Sequence, residues 1–164
     1  MSSLTSADEE AHSLVMREKG MVDTAVSFAN GTATLATHVD GVDIKVSVKT
    51  RKTDDSPYKE GFRWGGEGSS AAPTMITLVV VQRGAERLFV PLSAYSDLGD
   101  PRKIFLKSRT VGFELDIFGG DAGVAYNATL IFENGWLIRR RVAHGEFPDE
   151  AWEETQYAYN TLNN

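Results

Sequence analysis

Two dipeptides, Asn30-Gly31 and Asp40-Gly41, restrict the fold more than any other feature of the chain. Both residues of each pair tolerate the positive φ that a type I′ turn demands, and each pair lies between alternating apolar and polar residues. Two-residue turns at both places set Val26 opposite Leu35, Phe28 opposite Ala33, Val39 opposite Val42, Thr37 opposite Ile44 and Leu35 opposite Val46. One face is then almost wholly apolar, while the other carries His38, Asp43, Lys45 and Ser47. A three-residue first turn would set Phe28 against Thr32 and lose this separation. Val22 to Thr50 therefore reads as a three-stranded antiparallel meander.

Strand patterns return at Thr74 to Gln82, Arg87 to Leu92, Ile104 to Leu106, Gly112 to Phe118, Val124 to Phe132 and Trp136 to Val142. Thr155, Tyr157 and Tyr159 alternate as a last strand. Roughly ten strands with short connections predict an all-β domain, mainly an antiparallel sandwich or barrel. A short N-terminal helix is expected, because Ser6 and Glu9 have capping-box spacing and Ala7, Ala11, Leu14 and Val15 share a helical face. In a competing reading, Leu14 to Met16 belong to a first strand. Pro148 opens a short helical turn through Trp152. The 164 residues fit a single domain, 1–164, with one long irregular loop at 51–73 inside it.

The run Arg139-Arg140-Arg141 tests whether the chain carries a basic patch. A three-residue turn at Glu133-Asn134-Gly135, with Gly135 in the left-handed region, sets Phe132 opposite Trp136, Leu130 opposite Ile138 and Ala128 opposite Arg140. Side chains alternate along a strand, so Arg140 points away from its two neighbours and falls in the apolar row. A buried guanidinium needs a partner, and Glu114, Asp116, Glu153 and Glu154 are the candidates. Arg140 is thus a structural ion pair or an anion site, whereas Arg139 and Arg141 lie on a solvated face.

The net charge of −6 speaks against a nucleic-acid binder and suits a basic partner. The absence of cysteine removes disulfides, thiolate metal sites and a thiol nucleophile. No stretch is apolar enough to insert in a membrane. The start lacks a basic region followed by an apolar one, so no signal peptide is read there, which leaves the compartment open. The histidines, His12, His38 and His144, are dispersed, and no metal site is expected. His38 and Asp43 face each other without an activated serine. Glu114 and Asp116 share a strand face, which alternation explains without acid/base chemistry. Gly66, Gly68 and Ala71 lack the strand and helix that a dinucleotide fingerprint requires. No catalytic residue and no cofactor are assigned.

The loop at 51–73 holds the remaining signal. Tyr58, Phe62, Arg63, Trp64 and Glu67 form the expected partner-binding set, since aromatics and arginine dominate binding hot spots. In the alternative, Phe62 and Trp64 fold back over an end of the core. The leading expectation is a non-enzymatic protein-binding domain, of the kind of a small inhibitor or toxin-neutralising immunity protein. A calycin-like barrel for a small apolar ligand comes second, and a hydrolase with dispersed catalytic residues third.

Overall fold

The computed structural model describes residues 25–53, 63–66 and 72–159. They form two antiparallel sheets built from β1 (Val26–Ser27), β2 (Thr32–Val39), β3 (Val42–Lys52), β4 (Thr74–Arg83), β5 (Glu86–Leu88), β6 (Pro101–Ser108), β7 (Phe113–Gly119), β8 (Tyr126–Glu133), β9 (Trp136–His144) and β10 (Ala151–Gln156). One sheet has the order β2-β3-β4-β5 and the other β1-β6-β7-β8-β9-β10. The fold is a sandwich of two meanders, and the expected all-β class is the one observed. The proposed N-terminal helix lies outside the described residues.

The β2–β3 hairpin has the register that its alternation dictates: Val39 pairs with Val42, Thr37 with Ile44, and Leu35 with Val46. The preceding turn also forms, with Asn30 and Gly31 at φ of 51° and 75°. What enters it differs from expectation. Val26 pairs with Ile104 of β6 in the other sheet, not with Leu35, and only Ala29 and Thr32 bridge across the turn. A type I′ dipeptide fixes the reversal of the chain but not how far the incoming strand stays paired. Here the chain uses the reversal to change sheets. The Gly31 carbonyl then accepts from the backbone N–H of Thr50 (2.8 Å), tying the corner to β3.

The β8–β9 hairpin also departs from the expected register. Its turn is the two-residue Asn134-Gly135, with φ of 51° and 82°, so Glu133 pairs with Trp136. The register then shifts by one residue, because Ile138 is an extra residue on β9 between the pairs Phe132–Leu137 and Ile131–Arg139. This bulge restores the phase. Leu130 faces Arg140 and Ala128 faces Val142, so Arg140 points inward as expected, although its partner is not Ala128.

The helical turn expected from Pro148 to Trp152 is not formed. Pro148 and Asp149 make a turn closed by Glu150 N–H donating to the Phe147 carbonyl (2.9 Å), and Trp152 already belongs to β10. A short helix would have left the edge of β9 unpaired, whereas the strand pairs with it from Ala143 to Arg139.

The core lies between the inner faces, where Val46, Val48 and Val81 of one sheet meet Leu106, Leu115, Ile117, Leu130 and Val142 of the other, all fully buried. The connection after β5 crosses one end of the sandwich. It makes a single 3₁₀ turn at Leu92–Ala94 and buries Ala94, Tyr95 and Leu98. Tyr126 Oη seals this end by donating to the Gly99 carbonyl (2.7 Å), and burial pushes its phenol well above the ordinary range. At the other end, between the hairpin tips, no long described connection crosses the opening.

Candidate functional site

The closed end is organised by Arg140. Its side chain is 2% exposed, and its guanidinium donates to both carboxylate oxygens of Asp97 (2.6 and 2.7 Å), to Glu153 Oε2 (2.8 Å) and to the Ser93 carbonyl (2.8 Å). Burial is the largest influence on this group and pushes its pKa down. The hydrogen bonds and charge of Asp97, then the charge of Glu153, outweigh it and hold the pKa above its ordinary value. Asp97 and Glu153 each keep 29% of their side-chain surface accessible. The cluster therefore pins the connection after β5 and the edge strand β10 onto β9, with one carboxylate charge in excess.

Glu153 was among the carboxylates that the sequence offers to Arg140, whereas Asp97 was not. The other candidates lie elsewhere. Glu114 and Asp116 sit on the outer face of their sheet, because Phe113, Leu115 and Ile117 take the inner one. There Asp116 accepts from the Thr129 hydroxyl (2.6 Å) and pairs with Lys107 (3.2 Å), while Glu114 pairs with Arg109 (2.8 Å). Glu154 approaches Arg139 instead, at 3.9 Å. Arg141 donates to the Pro148 carbonyl (2.8 Å) and steadies the turn before β10.

The loop residue Trp64 docks on this same end. Its N–H donates to the Asp97 carbonyl (2.8 Å), and its carbonyl accepts from Gly99 N–H (3.0 Å). The approach requires glycine at position 99, where a Cβ would lie 2.7 Å from the Trp64 carbonyl oxygen. The indole is half-buried, packs against the core cluster and stacks on Trp152, with ring centroids 5.2 Å apart and planes 8° apart. The position matches the reading in which Trp64 folds back over the core. It covers an end of the core, and it backs an aromatic that reaches solvent.

Trp152 is 38% exposed and Phe147 56% exposed. His144 lies between them, edge-on to Trp152 (5.1 Å) and tilted against Phe147 (5.0 Å). Its Nδ1 accepts from the backbone N–H groups of Glu146 (3.0 Å) and Phe147 (3.3 Å), shaping the turn that holds Phe147 outward. From Gly145 to Tyr159 the chain carries Glu146, Asp149, Glu150, Glu153 and Glu154 and no Lys, Arg or His. The result is an aromatic corner on an acidic stretch of chain, in which Glu153 is paired with Arg140 and Glu154 lies near Arg139.

Of the loop residues expected to bind a partner, Tyr58, Phe62 and Glu67 lie outside the described residues, and Arg63 is half-buried beside Trp64. Sequence reasoning missed Asp97, His144, Phe147 and Trp152. A signal for the last two exists in "EFPDEAWEE", where large aromatics are interleaved with acids that disfavour burial. His38 and Asp43 form an exposed cross-strand pair (2.8 Å). Among the described residues, no group of three or more His, Asp or Glu is placed to hold a metal ion. No protein-family model matches the chain, and comparison with curated proteins and with solved structures finds no match either.

Proposed function

We propose that this chain is a non-enzymatic protein-binding domain that engages a basic partner through the corner formed by Trp64, His144, Phe147 and Trp152. The observation that carries this reading is the pair Phe147 and Trp152. Both are substantially exposed, yet both are held in place by ring contacts, within a stretch bearing five carboxylates and no cation. Rigid aromatics surrounded by a polar rim are the arrangement of a binding hot spot. The carboxylates add attraction for a cationic surface and speed its approach. A small inhibitor or a toxin-neutralising immunity protein is the kind of protein such a surface suits, and the net charge of −6 supports that class.

The test is affinity capture from extracts of the native cells, followed by titration of the captured partner against Phe147→Ala and Trp152→Ala. Each substitution is expected to weaken binding by about 2 kcal/mol or more while leaving the fold intact. Association should also slow as salt is raised. A partner that binds both variants as tightly as the parent chain refutes the assignment.

A further inference from the structure

The end of the sandwich opposite the aromatic corner is open, and it holds a cavity of about 300 Å³. Four hairpin tips surround it, two from each sheet, including Asp40, Gly112, Asn134 and Gly135. All four residues have positive φ, so the tips reverse tightly instead of folding across the mouth. The floor is apolar: Val39, Ile44, Phe113 and Phe132 are buried there, with the two phenyl rings stacked at 4.9 Å. Val42 and Val111 stand on the rim and are 36% and 48% exposed. With one end sealed by Tyr126 and the Arg140 cluster, the sandwich has the form of a cup.

Among the described residues that line this mouth, Arg83 is the one cation. Arg83, at the end of β4, reaches across to the other sheet and lies over Gly135, with Nη2 3.0 Å from where a Cβ of residue 135 would be. Its ion pair with Glu86 (3.0 Å) is exposed, with 36% and 61% of the two side chains accessible. Such a pair contributes little to stability and leaves the guanidinium able to share its donors with an incoming acceptor. Asp40 on the rim and Glu86 behind Arg83 oppose a ligand of high negative charge.

From this arrangement we infer that the open end binds a small apolar monocarboxylate. Its hydrocarbon part fills the space above Phe113 and Phe132, and its carboxylate meets Arg83. The volume lies at the lower limit of ligand pockets, which run from roughly 300 to 1,000 Å³, so the ligand is a compact acid. This site is independent of the aromatic corner, and either assignment can fail without the other.

Phenylacetate and its uncharged counterpart phenylethanol serve as probes, titrated against the full chain by calorimetry and by amide chemical-shift mapping. Phenylacetate is expected to bind and to shift the amides of the tips around Gly112 and Gly135. Arg83→Met should weaken phenylacetate about tenfold or more, the effect of losing a charge-assisted hydrogen bond, and leave phenylethanol unchanged. Val42→Trp, which fills the mouth from an exposed position, should abolish binding of both probes. Circular dichroism confirms that each variant is folded. Equal affinity for the two probes, or indifference of phenylacetate to Arg83→Met, overturns the carboxylate assignment. Binding of neither probe, or binding that survives Val42→Trp, overturns the site.

Discussion

Replacing Arg140 by methionine is the sharpest test of how the closed end is held. Methionine keeps an apolar stem in the space of the arginine, so the change chiefly removes the guanidinium. Four hydrogen bonds are lost, three of them to carboxylate oxygens of Asp97 and Glu153. Breaking a buried ion pair from one side costs about 3–5 kcal/mol, because the remaining charge stays desolvated. Asp97 and Glu153 each retain 29% of their side-chain surface and rehydrate in part, which places the expected loss at the lower end, about 3 kcal/mol. Urea unfolding measures it. The exposed neighbours provide the control: Arg139→Ala and Arg141→Ala should each change stability by about half a kcal/mol or less. A triple variant, Arg140→Met with Asp97→Asn and Glu153→Gln, removes the orphaned charges and should recover much of the loss. If Arg140→Met costs no more than Arg139→Ala, the inward pairing is refuted. If the triple variant is as unstable as the single one, the loss does not arise from orphaned charge.

Gly135→Val forces a β-branched residue to a φ of 82°. It should cost about 2 kcal/mol or more in urea unfolding, whereas Glu133→Lys is tolerated; equal effects of the two would refute the assigned turn. At Asp116, burial is the largest influence and raises the carboxyl pKa above its ordinary 3.8, with the Thr129 hydroxyl and Lys107 offsetting it in part. A raised folded-state pKa means that the folded chain holds this proton more tightly than the unfolded one. The favourable contribution is full below the unfolded value and is lost as pH rises through the folded one. Asp116→Asn keeps an acceptor for Thr129 and lacks this titration, so its stability relative to the parent should improve as pH rises from below 3.8 toward neutrality. A difference that stays constant with pH would contradict the burial.

The local hydrogen-bonding pattern was legible across Asp40-Gly41, where turn chemistry and alternation agree on both sides of the turn. Val39, Thr37 and Leu35 find their partners across Asp40-Gly41 because nothing interrupts the period of two. The same rule failed at Val26, since a turn dipeptide carries no information about when a strand leaves its neighbour for the facing sheet. At β9 the face of Arg140 was legible and its register was not. The apolar row reports the phase of a strand, and a two-residue turn followed by the Ile138 bulge brings Arg140 to the same face as a three-residue turn would.

The same distinction separates what was legible of the candidate site from what was hidden. Glu153 was one of four carboxylates that the sequence offered to Arg140 without choosing among them, and the pairing of β10 with β9 is what selects it. Asp97 precedes Arg140 by 43 residues, in a turn-rich connection without periodicity, and reaches it only because that connection crosses the end of the sandwich. Trp64 and Trp152 are farther apart still, and no pattern within either segment reports their stacking. Composition supplied the residue types of the aromatic corner; the closure of the fold supplied their adjacency. For a surface of this kind, the sequence signal is an aromatic interleaved with acids, as Phe147 follows Glu146 and Trp152 precedes Glu153. Acidic neighbours do not by themselves decide exposure, since Leu115 lies between Glu114 and Asp116 and is fully buried; the face of the strand decides it. Trp64 and His144 hold Trp152 and Phe147 in place through ring contacts.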